Sequence, residues 1–472
     1  MPDPHDETAR LAALDHAHVW HPFTPMKQWR LREPLIIERG EGEYILDTRG
    51  NRYIDGTSSL WCNVHGHHVP QIDQAIRDQL DRVAHTTMLG LASVPSIELA
   101  RRLCAIAPPR LSKVFYSDAG ATALEVAFKM AVGYWYHTGQ PQRTKFIGFS
   151  GAYHGDTTGA MSVGYSDYFH KPFFSMVFPT LFAPIPNALT PHQSPPFPMG
   201  GFWTSESERF NTTEKTACLE ALDALLTQHA PTIAAIVIEP IMQGAAGMIC
   251  QPPSFLRGVA DLARKHNTLL IADEVATGFG RTGRMFACEH ENVTPDILCV
   301  AKGITGGYLP LAATLCTDAI ENAFCGDPHE NKTFFHGHTY TGNPLACAAA
   351  LASLDLFEST NLIAHIQSNA KLISRRLDVL RDAKDFPHIL DIRQRGLMIG
   401  IELDPARCPA PPPDLTLGHA VCRLMRPRGL IVRPLGNTIV LMPIPAMSEA
   451  TLHRMLDIVI DTLRGLATAT FA

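Results

Sequence analysis

Several short stretches of the chain are apolar on both alternations. "AAIVIEP" (234–240), "TLLIADEV" (268–275), "DILCVAKG" (296–303) and the run ending at Tyr116 lack the polar face of a half-wet strand. That pattern predicts strands covered on both sides, as in a parallel sheet between layers of helix. After "SDAG", Leu124, Ala127, Phe128, Ala131 and Trp135 recur at helical spacing, so a helix is expected to open near Gly120. Beyond about residue 345 the texture changes. "PLACAAALASLDLFES" reads as a helix, and "RGLMIGIEL" and "GLIVRPLGNTIVLMP" read as strands of a smaller α+β domain. The expected division is an N-terminal segment (1–65) packing with the small domain, a large domain (66–340) and the C-terminal small domain (341–472). Proline-rich stretches at 183–202 and 404–415 read as loops.

In open parallel sheets, ligands bind beyond the carboxyl ends of the strands. The residues there are Asp118 to Gly120, Glu239, Asp273 with Glu274, and Lys302. Lys302 is the anomaly, because an ammonium at the end of a buried run is costly unless chemistry uses the amine.

Composition narrows the class. Hydrophobic residues make up 46% and charged residues 18%, as in a globular enzyme. A formal charge of −6 gives no footprint for nucleic acid or an anionic membrane. The longest apolar runs fall short of a membrane span. The N-terminal "MPDPHDETAR" has acids and prolines and no apolar core, so no signal peptide is expected. Eleven cysteines without a CxxC pair point to reduced thiols and a cytoplasmic setting. "NTT" at Asn211 matches a glycosylation sequon but has no secretory context.

Two motifs mislead. "GFGRTG" (278–283) matches the dinucleotide GxGxxG, which would make the protein an NAD-dependent dehydrogenase. Asp273 and Glu274 stand at the strand end where a pyrophosphate would bind, and "RMFACEHENVTPD" is too irregular for the required helix. A glycine-rich surface turn is the reading preferred. The clusters "HGHH" (65–68) and "HGH" (336–338) lack a third ligand at a useful spacing, so no metal site is expected.

Lys302, Asp273 and Gly120 taken together suit pyridoxal 5'-phosphate (PLP). That cofactor needs an amine for a Schiff base, an anion against its pyridine nitrogen and donors for its phosphate. Lys302 supplies the amine, Asp273 the anion, and the helix opened by "SDAGATALE" the free N–H groups.

The chain resembles the class III, fold-type-I PLP aminotransferases over nearly its whole length. "IADEVATGFGRTGRMFACEH", "AKGITGGYLPLAATLCT" and "GHTYTGNPLACAAA" carry the resemblance. It implies an α/β fold with a large, mainly parallel sheet flanked by helices and a small α+β domain. It also implies a homodimer with sites at the subunit interface and small-molecule substrates. On this basis Lys302 is the catalytic lysine, Asp273 pairs with the pyridine nitrogen, and Tyr153 stacks on the ring. Gly120 and Ala121 hold the phosphate, with Thr339 reaching it from the partner subunit. Phe23, Trp61, Tyr153 and Gly337 line the substrate pocket, and Arg433 receives a substrate carboxylate.

"HVWHPFTPM", "GTSSLWCNVHGH", "YHGDTTGAMSVG" and "IVRPLGNTIVLMP" are similar to the branch that aminates 8-amino-7-oxononanoate in biotin synthesis. The default donor in that branch is S-adenosylmethionine. Leu60 in "LWCNVHGH", where some members have tryptophan, and His338 in "FHGHTYTGN", where some have proline, resemble members in which lysine donates, while Phe23, where some have tyrosine, lacks a hydroxyl that could steer the donor or keto acid. A broad ω-amino acid or amine:pyruvate transaminase is the chief alternative.

Overall fold

The structure is a computed structural model that describes residues 4–186, 212–466 and 471. The proline-rich stretch from 187 to 202 and the sequon at Asn211 lie outside the described residues. Near the N-terminus, β1 (Ile37–Glu41), β2 (Tyr44–Asp47) and β3 (Arg52–Asp55) form an antiparallel meander.

The central sheet contains β4 (Leu111–Ser117), β5 (Lys145–Phe149), β6 (Leu181–Ala183) and β7 (Ile233–Ile238). A short hairpin of β8 (Met242–Gln243) and β9 (Ile249–Cys250) follows, outside the sheet. The sheet then gains β10 (Leu269–Asp273), β11 (Ile297–Val300) and β12 (Ala312–Thr317), in the spatial order β4-β12-β11-β10-β7-β5-β6. Every residue of β7, β10, β11 and β12 is buried. Alternation sorts them between two layers. Val237, Ile271, Ile297 and Cys299 pack with Leu124, Ala127, Phe128 and Ala131 of the helix Gly120–His137. Ile236, Leu270, Leu298 and Val300 pack on the other face with Phe255, Leu256 and Val259 of the helix Phe255–Lys265.

The sheet is parallel except for β12, which runs antiparallel between β11 and β4. No crossover helix separates β11 from β12, and a short return to a neighbouring position closes only an antiparallel pair.

The C-terminal part forms a second antiparallel sheet of β13 (Ile389–Arg395), β14 (Met398–Leu403), β16 (Arg433–Leu435) and β17 (Thr438–Leu441). Between them β15 (Leu430–Ile431) crosses to the first meander and pairs parallel with β3, Leu430 opposite Ile54. Residues 404–415 form a loop. No described helix is long and apolar enough to cross a membrane.

The "GFGRTG" segment corrects the surface-turn reading, because all six residues are buried. Gly280 and Gly283 turn at φ of 85° and 95°. Arg281, 2% exposed, donates from its two terminal nitrogens to the carbonyls of Pro443 (2.8 Å) and Asn63 (2.9 Å). The segment is an internal clasp between distant parts of the chain.

Candidate active site

A cavity of about 610 Å³ opens at the carboxyl ends of β4, β7, β10 and β11. Lys302, two residues past β11, stands on its floor in the left-handed region, with φ of 43°. Its Nζ lies 5.2 Å from the centroid of the Trp61 ring. Burial pulls the Lys302 pKa below the usual 10.5, against the opposing pull of Asp273 and Glu239.

Asp273, the last residue of β10, is 4% exposed and lines the same cavity. Its Oδ1 accepts from the Val275 N–H (3.0 Å), and its Oδ2 is 2.7 Å from His154 Nδ1. Burial alone would lower the His154 pKa, but the bond and charge of Asp273, helped by Glu239, raise it. The aspartate is thus tethered on both oxygens, one by the Val275 backbone and the other by the His154 imidazole.

Glu239, just past β7, accepts from the backbone N–H of Tyr153 (3.1 Å) and Gly244 (2.9 Å). Burial pushes its pKa up to about 7, with Asp273 adding to the rise and His154 and the two N–H donors opposing it. It thus ties together two walls. Tyr153 lies in one, and a Cβ on Gly244 in the other would come within 3.1 Å of the Trp61 ring. The adjacent Glu274 has a different task. It accepts from Thr277 Oγ1 (2.5 Å) and the N–H groups of Ala287 (3.0 Å) and Cys288 (2.8 Å), bracing the buried turn.

Trp61 reaches the cavity from an unusual turn. Ser58, Ser59, Leu60 and Trp61 have φ of 49°, 59°, 126° and 68°, four successive non-glycine residues in a costly region. Asp55 accepts from Ser59 N–H (2.8 Å) and Oγ (2.7 Å), and Ser58 Oγ donates to the Met442 carbonyl (2.6 Å). The C-terminal sheet thereby helps to hold the turn.

At the far end, the helix Gly120–His137 points its N-terminus at the cavity. Thr122 Oγ1 accepts from the N–H of Ala119 (3.0 Å), while the N–H groups of Gly120 and Ala121 have no bond among the described residues. A Cβ on Gly120 would sit 2.5 Å from Val275 Cγ1. Gly155, at φ of 121°, leaves no room for a side chain either, since its Cβ would fall 2.4 Å from that of Ala121.

The cavity thus gathers Trp61, Gly120, Ala121, Tyr153, Asp273 and Lys302 from five places in the sequence. Four candidates stand outside its lining. Gly337 and Thr339 are exposed on the loop before the helix Pro344–Ser359, and Arg433 is exposed on β16. Phe23 is 54% exposed and meets the Phe169 ring, which in turn meets Tyr153, each at 6.0 Å. His154, Tyr308 and Thr305 line the wall although the motifs gave them no role. His154 adjoins the motif residue Tyr153, which gives no sign of its partner Asp273. Tyr308 and Thr305 belong to the turn after Lys302, whose course is set by Gly306 and Gly307 at φ of 67° and 88°.

The residues fit PLP. One half-buried amine, one carboxylate buried against an imidazole, and a helix end with free N–H groups and no room for side chains surround one cavity. The histidine clusters divide among separate partners, with His65 on Ser353, His67 on Asp55, His68 on Asp73 and His338 on Asp118. All eleven cysteines are free.

The model of the aminotransferase class-III family matches residues 26–463, so the chain belongs to that family and is a PLP-dependent transaminase. It is 49% identical over 468 residues to the adenosylmethionine-8-amino-7-oxononanoate aminotransferase of Nitratidesulfovibrio vulgaris, covering 98% of this chain and 82% of that protein. The crystal structure of the enzyme so named from Methanocaldococcus jannaschii superposes with a TM-score of 0.87 at 42% identity, covering 97% of this chain and 99% of that one. An amine transaminase from an uncultivated Pseudomonas species, in its PLP-bound form, superposes with a TM-score of 0.84 at 34% identity, covering 94% and 98%.

Proposed function

We propose that this protein aminates 8-amino-7-oxononanoate to 7,8-diaminononanoate, a step of biotin synthesis, in the cytoplasm and as a homodimer. The near full-length likeness to the Nitratidesulfovibrio relative carries the choice of acceptor. S-adenosylmethionine is the donor by the same likeness. The lysine-like features, Leu60 and His338, make lysine the first alternative to assay.

The cavity residues divide the work. PLP, when bound, supplies an electron-withdrawing ring that stabilises negative charge on the substrate carbon next to nitrogen. Lys302 would hold the cofactor, and its Nζ would take the proton from that carbon and later return one. Its lowered pKa suits an amine that must be neutral to accept a proton. Asp273, backed by His154, sets its carboxylate against the pyridine nitrogen. The Gly120 and Ala121 N–H groups hold the phosphate, joined by Thr339 of a second copy. Tyr153 would stack on the ring, and Trp61 would wall the substrate side. Phe23 and Gly337 complete the pocket mouth, and Arg433 binds the acceptor carboxylate with its planar fork.

The test is product formation. The enzyme is incubated with PLP, 8-amino-7-oxononanoate and, separately, S-adenosylmethionine, lysine, β-alanine or a simple amine, and diaminononanoate is measured by mass spectrometry. Product with S-adenosylmethionine or lysine supports the proposal. Turnover of simple amines with pyruvate, and none with the oxononanoate, replaces it with the amine-transaminase reading that the Pseudomonas neighbour offers.

A further inference from the structure

Asp118 lines the cavity immediately before the N-cap of the helix Gly120–His137. A carboxylate there suits the positive end of the helix dipole but opposes any other anion that binds to it. Thr122 fixes the turn, since its Oγ1 accepts from the N–H of both Asp118 (3.3 Å) and Ala119 (3.0 Å). The carboxylate also has a partner, for His338 Nδ1 lies 2.6 Å from Asp118 Oδ2.

The loop carrying His338 is fastened to the same helix. Lys129 Nζ donates to the Phe335 carbonyl (2.7 Å) and lies 3.2 Å from His336 Nδ1. The His338 N–H donates to Thr341 Oγ1 (2.9 Å). Both members of the His338–Asp118 pair keep about a third of their side-chain surface, 31% and 38%. Pairs so exposed add little to stability. The place of this one, at the entrance to two free N–H groups, gives it a use that stability does not.

We infer that His338 is a positioning residue for the cofactor phosphate. Its imidazole holds the Asp118 carboxylate in a hydrogen bond at the helix end where the phosphate binds. This rests on the reading of the Gly120 and Ala121 N–H groups as the phosphate donors.

The experiment titrates apoenzyme with PLP and, separately, with pyridoxal, which lacks the phosphate, following quenching of tryptophan fluorescence. Four proteins are compared: wild type, His338→Ala, Asp118→Asn and the double variant. His338→Ala is expected to weaken PLP about fivefold, the scale of one partly exposed charge interaction, and to leave pyridoxal unchanged. Asp118→Asn binds PLP at least as well as wild type, and the double variant returns to the level of Asp118→Asn. A double variant as weak as His338→Ala, or equal losses for PLP and pyridoxal, overturns the inference. If wild type prefers PLP over pyridoxal but neither substitution changes that preference, only this inference fails. If wild type shows no preference at all, the phosphate reading of the helix end fails with it.

Discussion

Lys302 combines two local penalties, a left-handed backbone and an amine drawn out of water. Each is the kind of cost that a binding site accumulates and a core does not. Lys302→Met is therefore expected to abolish transamination while raising the unfolding midpoint of the apoenzyme by about 2–4 °C near neutral pH. Because the folded-state pKa is depressed, the ammonium cost is greatest below that pKa and fades as pH rises through it. The stabilisation by Met must shrink toward pH 10, and differential scanning fluorimetry over pH 7–10 checks this. Glu239 obeys the opposite sign. Its folded pKa of about 7 exceeds the ordinary 4.5, so the folded state keeps a proton that the unfolded chain has lost. Stability from this group falls as pH rises from about 4.5 to 7 and stays lower above. Glu239→Gln removes that dependence, so its midpoint relative to wild type must climb between pH 5 and 8. A constant difference across that range refutes the assignment. At this scale the lysine was legible because an amine is conspicuous at the end of an apolar run. His154 was not, since a histidine beside a motif tyrosine looks the same in sequence whether it faces water or Asp273.

Elements explain why the predicted strands held and why one turn was misread. β7, β10 and β11 are buried at every position, and unbroken apolar runs bounded by polar residues signal that directly. β12 is as buried as they are, but its direction depends on the length of the return, which hydropathy does not encode. "GFGRTG" carries glycines and an arginine, the composition of an exposed turn, yet Arg281 is enclosed because two backbone carbonyls from remote segments need its donors. Replacing Arg281 with Ala leaves both carbonyls unpaired and is expected to cost about 2–4 kcal/mol, read as a lower denaturant midpoint. Arg281→Lys recovers part of that, since an ammonium lacks the fork that spans two acceptors. At the cradle, Gly120→Ala forces a methyl to 2.5 Å from Val275 Cγ1. PLP retention through gel filtration should fall, while Ala121→Gly, which removes a methyl, should keep more cofactor.

Across the whole molecule, the loop 335–340 carries several exposed side chains besides the anchored His338. Phe335 and Tyr340 are 70% and 61% exposed beside the exposed Gly337 and Thr339, and Leu89 is 81% exposed. If a second copy covers this face and lends Thr339 to the site, two inactive variants complement each other. Lys302→Ala and Thr339→Asp, co-expressed, should regain activity that neither shows alone, because the mixed dimer assembles one intact site. No activity from the mixture, with mixed dimers confirmed by native mass spectrometry, removes Thr339 from the shared site. A hydropathy pattern describes one chain, so this level was reachable from sequence only through family likeness.

The pairing of β3 with β15 sets a schedule for synthesis. Ile54 leaves the ribosome long before Leu430 exists, and the turn that presents Trp61 awaits the carbonyl of Met442. At about 5–20 residues per second the interval is roughly 20–75 s, during which β3 presents an unpaired edge. The nascent N-terminal segment is thus a natural client for chaperones, and a stalled or truncated product has no means of finishing the cavity wall that Trp61 forms.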